Sequence, residues 1–291
     1  MSLLEAILLG IIQGVAEFLP ISSSGHLAIF KNIFKVNTDT GMLFDIMLHL
    51  GTLVAVFIVY WDDIKKLIIE GVGIIVDFIK NSAIYIHNLV SKDKKHYSKV
   101  VNSSYRKFVM MVIVSTIPTG IIGILIKDYV ESASESLLIP GIGLLITATL
   151  LLISDKVKEG TKTPKTATYK NALIVGLFQG VATIPGISRS GTTITTSLLN
   201  GFDRKFAVKY SFIMSIPAIL GAALLEVLNL KNVTLASGEI INYVIGTIVS
   251  ALVGYMCIKW ILVLVQNRKF KYFAIYCYLA GIIAIIGNFI I

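Results

Sequence analysis

The sequence predicts an all-α integral membrane protein with an inverted-topology repeat, each half a re-entrant helical hairpin followed by three transmembrane helices. Three observations predict it. The 291 residues are 55% hydrophobic and only 15% charged, with a mean hydropathy of +0.82, whereas ordinary soluble domains carry about 25% charged residues. The stretch Gln13 to His26 returns as Gln179 to Thr192 at a constant offset of 166 residues. Finally, most of the loop cations fall on one side of the predicted spans. A duplicated membrane chain places its site where the two repeats meet near the bilayer midplane.

In chain order, the start Met1-Ser2-Leu3-Leu4-Glu5 has neither the basic beginning nor the small-residue cleavage site of a secretory signal, so it is expected to stay in the fold. The first half, residues 1–154, opens with a hairpin over about 5–38 that Pro20 interrupts. Its spans follow near 42–61, 107–127 and 138–154, each near the roughly 20 apolar residues needed to cross the hydrocarbon. The second half, residues 155–291, repeats the plan with a hairpin over about 171–200, broken by Pro185-Gly186, and spans near 210–229, 240–263 and 272–291. Both halves are expected to form one membrane domain. The hairpins are too short and interrupted to cross, and irregular backbone at membrane depth survives where protein or a wet cavity satisfies it.

Between the first two spans, the basic loop 62–107 carries Lys66, Glu70, Gly73, Asp77, Asn81 and Asn88 at helical spacing beside Ile68, Ile69, Ile75, Phe78, Ile79 and Ile86. That pattern predicts an interfacial amphipathic helix with a lipid-surface role. Cys257 and Cys277 sit in apolar runs and read as small hydrophobes.

Loop charge orients the chain. Cations such as Lys65, Lys92, Lys99, Lys158, Lys170, Arg204, Lys209 and Arg268 share one face, taken as cytoplasmic, while Lys31, Lys35, Lys231 and the acidic loop 128–135 lie opposite. Both termini are then outside, the first hairpin enters from outside and the second from the cytoplasm. A basic face against anionic lipid accounts for the net charge of +9 without a nucleic-acid partner.

The chemistry concentrates in the hairpins. Ser22-Ser23-Ser24-Gly25-His26 and Ser188-Arg189-Ser190-Gly191-Thr192-Thr193 both stand where a helix should begin. Helix N-termini attract phosphate, and Arg189 adds a permanently charged planar fork. Ionisable groups inside a membrane are functional candidates, here Glu17, His26 and Arg189. His26 lies three residues after Ser23, one helical turn away, and can exchange protons with it. Glu17 either polarises Ser23 or His26 or holds a hard divalent cation. Gln13, one turn before Glu17, positions or coordinates as a neutral group, and Asp45 and His49 are candidates for support. The predicted chemistry is attack of Ser23 on a phosphorus atom, with His26 as nucleophile the variant the residues also allow. An inverted-repeat transporter or flippase for a phosphorylated lipid or anion is the alternative class.

These residues resemble the undecaprenyl-diphosphate phosphatase family, the bacitracin-resistance phosphatases. The resemblance is carried by Gln13-x-x-x-Glu17 with Pro20-x-Ser-Ser-x-Gly25-His26, by Pro185-Gly186-x-Ser188-Arg189-Ser190-x-x-Thr193, by the stretch from Phe44-Asp45 to Leu50-Gly51-Thr52, and by Phe273-Ala274-Ile275-Tyr276. It implies a hydrolase that removes the terminal phosphate of undecaprenyl diphosphate, recycling the carrier for peptidoglycan synthesis. It also implies dependence on a divalent cation, Mg²⁺ or Ca²⁺, and a multi-pass protein of the bacterial cell membrane whose site opens to the outer face. Glu17, Ser23, His26 and Arg189 match the family's functional positions, with Ser22, Ser24, Gly25, Ser188, Ser190 and Thr193 lining the site. Where some members have a first Glu, this chain has Gln13. The expected partners are the polyprenyl diphosphate and membrane lipids, and a homo-oligomer is allowed.

Overall fold

The computed structural model describes residues 1–36, 43–229, 237–266 and 269–290. Lys231 and Arg268 of the loop-charge argument lie outside the described residues, as do positions 37 and 38 at the end of the first expected hairpin. The described residues form α1 (Leu3–Phe18), α2 (Ser23–Phe34), α3 (Leu43–Val59), α4 (Trp61–Val90), α5 (Ser104–Leu125), α6 (Lys127–Ser134), α7 (Leu138–Lys156), α8 (Tyr169–Val181), α9 (Arg189–Leu199), α10 (Arg204–Asn229), α11 (Ser237–Gln266) and α12 (Phe270–Gly287).

Five of these helices, α5, α7, α10, α11 and α12, are long and apolar enough to cross a membrane. The sixth crossing expected near 42–61 is α3, which has 17 residues, at the lower limit for a span. It runs into α4 through a bend of 89°. The helices at the two repeat motifs are shorter still, 16 and 12 residues for α1 and α2 and 13 and 11 for α8 and α9. The acidic stretch read as a loop over 128–135 is mostly helical, as α6.

Packing exchanges the two halves. α1 lies along α11, and α8 lies along α5, so the first helix of each hairpin rests on a long helix of the other half. Glycine makes both approaches possible: a Cβ at Gly10 would come within 2.6 Å of Gly246 O, and one at Gly176 within 2.2 Å of Ser115 O. Gly14 and Gly180 repeat the pattern one turn later, against Val253 and Ile122. Without a hydrophobic driving force between helices in lipid, this close backbone approach is what gains van der Waals contact. α7 and α12 pack along each other and close the assembly.

The 30-residue α4 differs from the expected interfacial helix in how its polar side is used. Arg106 binds Glu70 through Nε at 2.9 Å and also pairs with Asp77. Asn81 pairs with the backbone of Ser98, and Asn88 with that of Lys95. Gly73 leaves room for the guanidinium, since a Cβ there would lie 2.6 Å from Nη2. The polar stripe is therefore satisfied by the segment that follows it, while Ile68, Ile75, Phe78, Ile79 and Ile86 remain exposed.

Candidate active site

The site is built where the two hairpin turns touch. Ser22 is the N-cap of α2, its Oγ accepting from Gly25 N at 3.2 Å. Ser188 is the N-cap of α9 and accepts from Gly191 N at 3.0 Å. These are the helix starts that the two motifs predict. The contact between tips is reciprocal. A Cβ on Gly25 would meet Gly186 Cα at 2.7 Å, and one on Gly191 would meet Pro20 Cβ at 3.3 Å. Gly186 has φ +88 and its own Cβ would strike Pro140 O at 2.1 Å, so the second turn requires glycine for both conformation and space.

Glu17 lies in the last turn of α1 and is 6% exposed. Ser23 Oγ donates to its Oε2 at 2.8 Å, and Gln13 Nε2 donates to the same oxygen at 3.0 Å. Arg189 of the second hairpin donates to Oε1 through Nη2. His49 Nε2 stands 3.5 Å from Oε2, while its Nδ1 donates to Asp45 O at 2.8 Å. Asp45 itself pairs with Lys31. A buried charge needs such partners, and Glu17 draws them from both halves of the chain.

Arg189 is held from behind. Its Nη1 reaches Ser211 O at 3.4 Å, its carbonyl accepts from Thr193 Oγ1 at 2.8 Å, and Thr193 Oγ1 shares a hydrogen bond with Ser211 Oγ at 2.6 Å. Thr147 pins the second turn, donating to Gly186 O at 2.8 Å and accepting from Ser188 N at 2.8 Å. Ser24 and Ser190 sit beside the caps, 3.4 Å from Ser22 Oγ and 3.3 Å from Ser188 Oγ.

His26 lies on the same tip, but its ring does not pair with Ser23. Nδ1 bonds Ser22 O at 2.8 Å, and Nε2 bonds Tyr276 Oη at 2.8 Å. Ser22 supplies that carbonyl from a backbone at φ +71, a conformation that serine rarely adopts and that clusters at functional sites.

The geometry thus gathers Gln13, Ser23, His49 and Arg189 around the Glu17 carboxylate, with Ser22, Ser24, Gly25, His26, Ser188, Ser190 and Thr193 on the two tips. Thr147, Ser211 and Tyr276 were not singled out from sequence as site residues. A hydroxyl in an apolar span is the only signal Thr147 and Ser211 give, and many Ser and Thr share it.

Chemically, a carboxylate accepting from a serine hydroxyl can take its proton, and an adjacent guanidinium can hold phosphoryl oxygens. Fold and site together define a multi-pass helical membrane protein whose polar centre joins a carboxylate, a hydroxyl and a guanidinium from two related hairpins. The sequence profile of the family described as "Bacitracin resistance protein BacA" matches residues 6–283, and the chain belongs to that family. A protein of Alkaliphilus metalliredigens named "Undecaprenyl-diphosphatase" is 43% identical over 286 residues, covering 98% of each chain. One of Halothermothrix orenii with the same name is 42% identical over 286 residues, again 98% of each. "Undecaprenyl-diphosphatase 3" of Bacillus cereus is 35% identical over 289 residues, 99% of this chain and 98% of its own.

Proposed function

We propose that this protein is a membrane phosphatase that hydrolyses undecaprenyl diphosphate to undecaprenyl phosphate and inorganic phosphate. That activity recycles the lipid carrier for peptidoglycan synthesis and confers bacitracin resistance. The observation that carries the reading is the hydrogen bond from Ser23 Oγ to Glu17 Oε2 at 2.8 Å, beside Arg189 on the same carboxylate, within a chain of the BacA family.

In the proposed reaction Ser23 Oγ gives its proton to Glu17 and bonds the terminal phosphorus, and the bond to the bridging oxygen breaks, releasing the polyprenyl phosphate. Arg189 and the N–H groups at the starts of α2 and α9 hold the charge spread over the phosphoryl oxygens. Water then attacks phosphoserine, giving a proton to His26, while Ser23 leaves with the proton held by Glu17. The hydrogen bond from Ser23 to Glu17, which gives the hydroxyl its own proton acceptor, favours Ser23 over His26 as nucleophile.

The expected divalent cation, Mg²⁺ or Ca²⁺, has a small but suitable set of hard ligands. Gln13 Oε1 is buried without a hydrogen-bond partner beside Glu17, and no cluster of three His, Cys, Asp or Glu able to hold a metal occurs among the described residues. Glu17 and Gln13 would hold the cation, with substrate phosphates supplying the rest, a usual arrangement for Mg²⁺. When bound it neutralises charge on the diphosphate.

The exchange of α1 onto α11 and α8 onto α5 supports the inverted-repeat reading, and the lengths of α1, α2, α8 and α9 support re-entrant hairpins. Loop charge supports a site opening to the outer face. The test is phosphate release from a polyprenyl diphosphate by the purified protein, with and without Mg²⁺ or Ca²⁺, beside Ser23→Ala, Glu17→Ala and Arg189→Ala. Loss of release in all three folded variants is expected, and a folded wild type that releases none under either metal sinks the reading.

A further inference from the structure

Resting on the phosphatase reading, we infer that Tyr276 is a positioning residue for His26, holding at Nε2 an imidazole that the Ser22 carbonyl sets as the neutral Nδ1–H form and that enters the reaction as a base. The Ser22 carbonyl can only accept, so His26 Nδ1 must carry the hydrogen of their 2.8 Å bond. In the neutral ring Nε2 is then a lone pair, and its partner at 2.8 Å, the Tyr276 hydroxyl, must donate to it. The rings stack at 5.5 Å between centroids with planes 10° apart, so Tyr276 limits both ring tilt and rotation.

Three features make this more than a hydroxyl finding a partner. Ser22 holds its carbonyl at His26 from a φ of +71, a conformation maintained against its intrinsic cost. Tyr276 comes from α12, 250 residues along the chain, so the last helix of the second half completes a group on the first hairpin. The tyrosine is also 45% exposed, so the contact lies at the surface of the helix assembly rather than deep within it. A water that replaces the Tyr276 hydroxyl, or bonds through it, meets an acceptor and not a donor. His26 therefore suits the second step, taking a proton from water as its oxygen bonds phosphorus and the Ser23 oxygen leaves.

The test is Tyr276→Phe, which keeps the stacked ring and removes the hydroxyl. A positioned base contributes about 10²–10⁴-fold, and losing only the group that aims it should lower kcat roughly tenfold with KM within about twofold of wild type. The ¹⁵N resonance of His26 Nε2, assigned by its loss in His26→Gln, should move toward that of an unbonded lone pair while Nδ1 stays protonated. Incorporating 3-fluorotyrosine at position 276 keeps shape and hydroxyl but strengthens the donor, and should move Nε2 the other way. An unchanged kcat, a rise in KM alone, or an Nε2 resonance indifferent to both replacements overturns the assignment. Wild-type protein that releases no phosphate defeats the phosphatase reading instead, and the Nε2 resonances still decide whether the Tyr276 hydroxyl holds that nitrogen.

Discussion

In the first hairpin Ser22 caps α2 at Gly25 N and its carbonyl accepts from His26 N at 3.2 Å; in the second Ser188 caps α9 at Gly191 N and accepts from Thr192 N at 2.8 Å. The caps repeat although the turn backbones differ, Ser22 at φ +71 against Ser188 at φ −68, and the side chains at matching positions do not repeat. Glu17 corresponds to Thr183, whose hydroxyl only returns to Gly180 O at 2.8 Å. Ser23 corresponds to Arg189, and His26 to Thr192, whose hydroxyl is buried without a partner. The duplicated part is thus the scaffold that brings two helix starts together. The carboxylate, hydroxyl and imidazole belong to one copy, and the guanidinium to the other. A consequence is that Glu17 meets its guanidinium partner only when both halves are assembled, because Arg189 lies 172 residues away.

The largest expected effects come from breaking that division. Glu17→Ala should lower kcat by about 10²–10⁴-fold, and Arg189→Ala by about 10²–10³-fold, in phosphate-release assays. Each single change also strands a buried charge, at a cost of about 3–5 kcal/mol. A double-mutant cycle on unfolding in mixed micelles should therefore show strong coupling, and additive losses would mean the two halves are not joined through this pair. Next in size, His26→Ala should cost about 10²-fold in kcat. Its counterpart Thr192→Val should leave activity unchanged and stability within about 0.5 kcal/mol, since no hydrogen bond is lost. Equal losses at the two positions would erase the distinction between chemical and structural copies.

The sequence made the two helix starts legible because capping serines, a turn-forming Pro or Pro-Gly, and a repeated glycine are local signals. Gln13, Glu17, Ser23 and Arg189 were legible for the same reason, lying within a turn or two of those marks. What joins them was not. That Glu17 meets Arg189 rather than His26 depends on which tips touch, and that is set by Gly10, Gly14, Gly176 and Gly180 admitting helices from the opposite half. Tyr276 stands in the Phe273-Ala274-Ile275-Tyr276 stretch that carries part of the resemblance, but nothing local in that apolar run points to His26. On α4 the polar spacing was legible, but not its use, because Arg106 lies beyond the helix and only folding brings it to Glu70 and Asp77.

Smaller effects sharpen the comparison where the scaffolds differ slightly. Gly25→Ala forces a Cβ to 2.7 Å from the Gly186 backbone and should cost about 1–3 kcal/mol, whereas at Gly191 the nearest atoms are side-chain atoms of Ser188 at 3.1 Å and beyond. Gly191→Ala should then cost under about 1 kcal/mol, measured by the same unfolding assay. Smallest of all is the contrast between caps. Replacing either Ser22 or Ser188 by Ala removes a side-chain acceptor at a helix start and should cost about 1 kcal/mol. Glycine separates them. Ser188 has φ −68 and gains nothing from glycine, so Ser188→Gly should lose a few tenths of a kcal/mol. Ser22 has φ +71, where glycine is unstrained, so Ser22→Gly should be neutral or stabilising. Because the same change frees the carbonyl that holds His26, kcat should fall even as stability holds, separating the strain at the first tip from its structural role at the second.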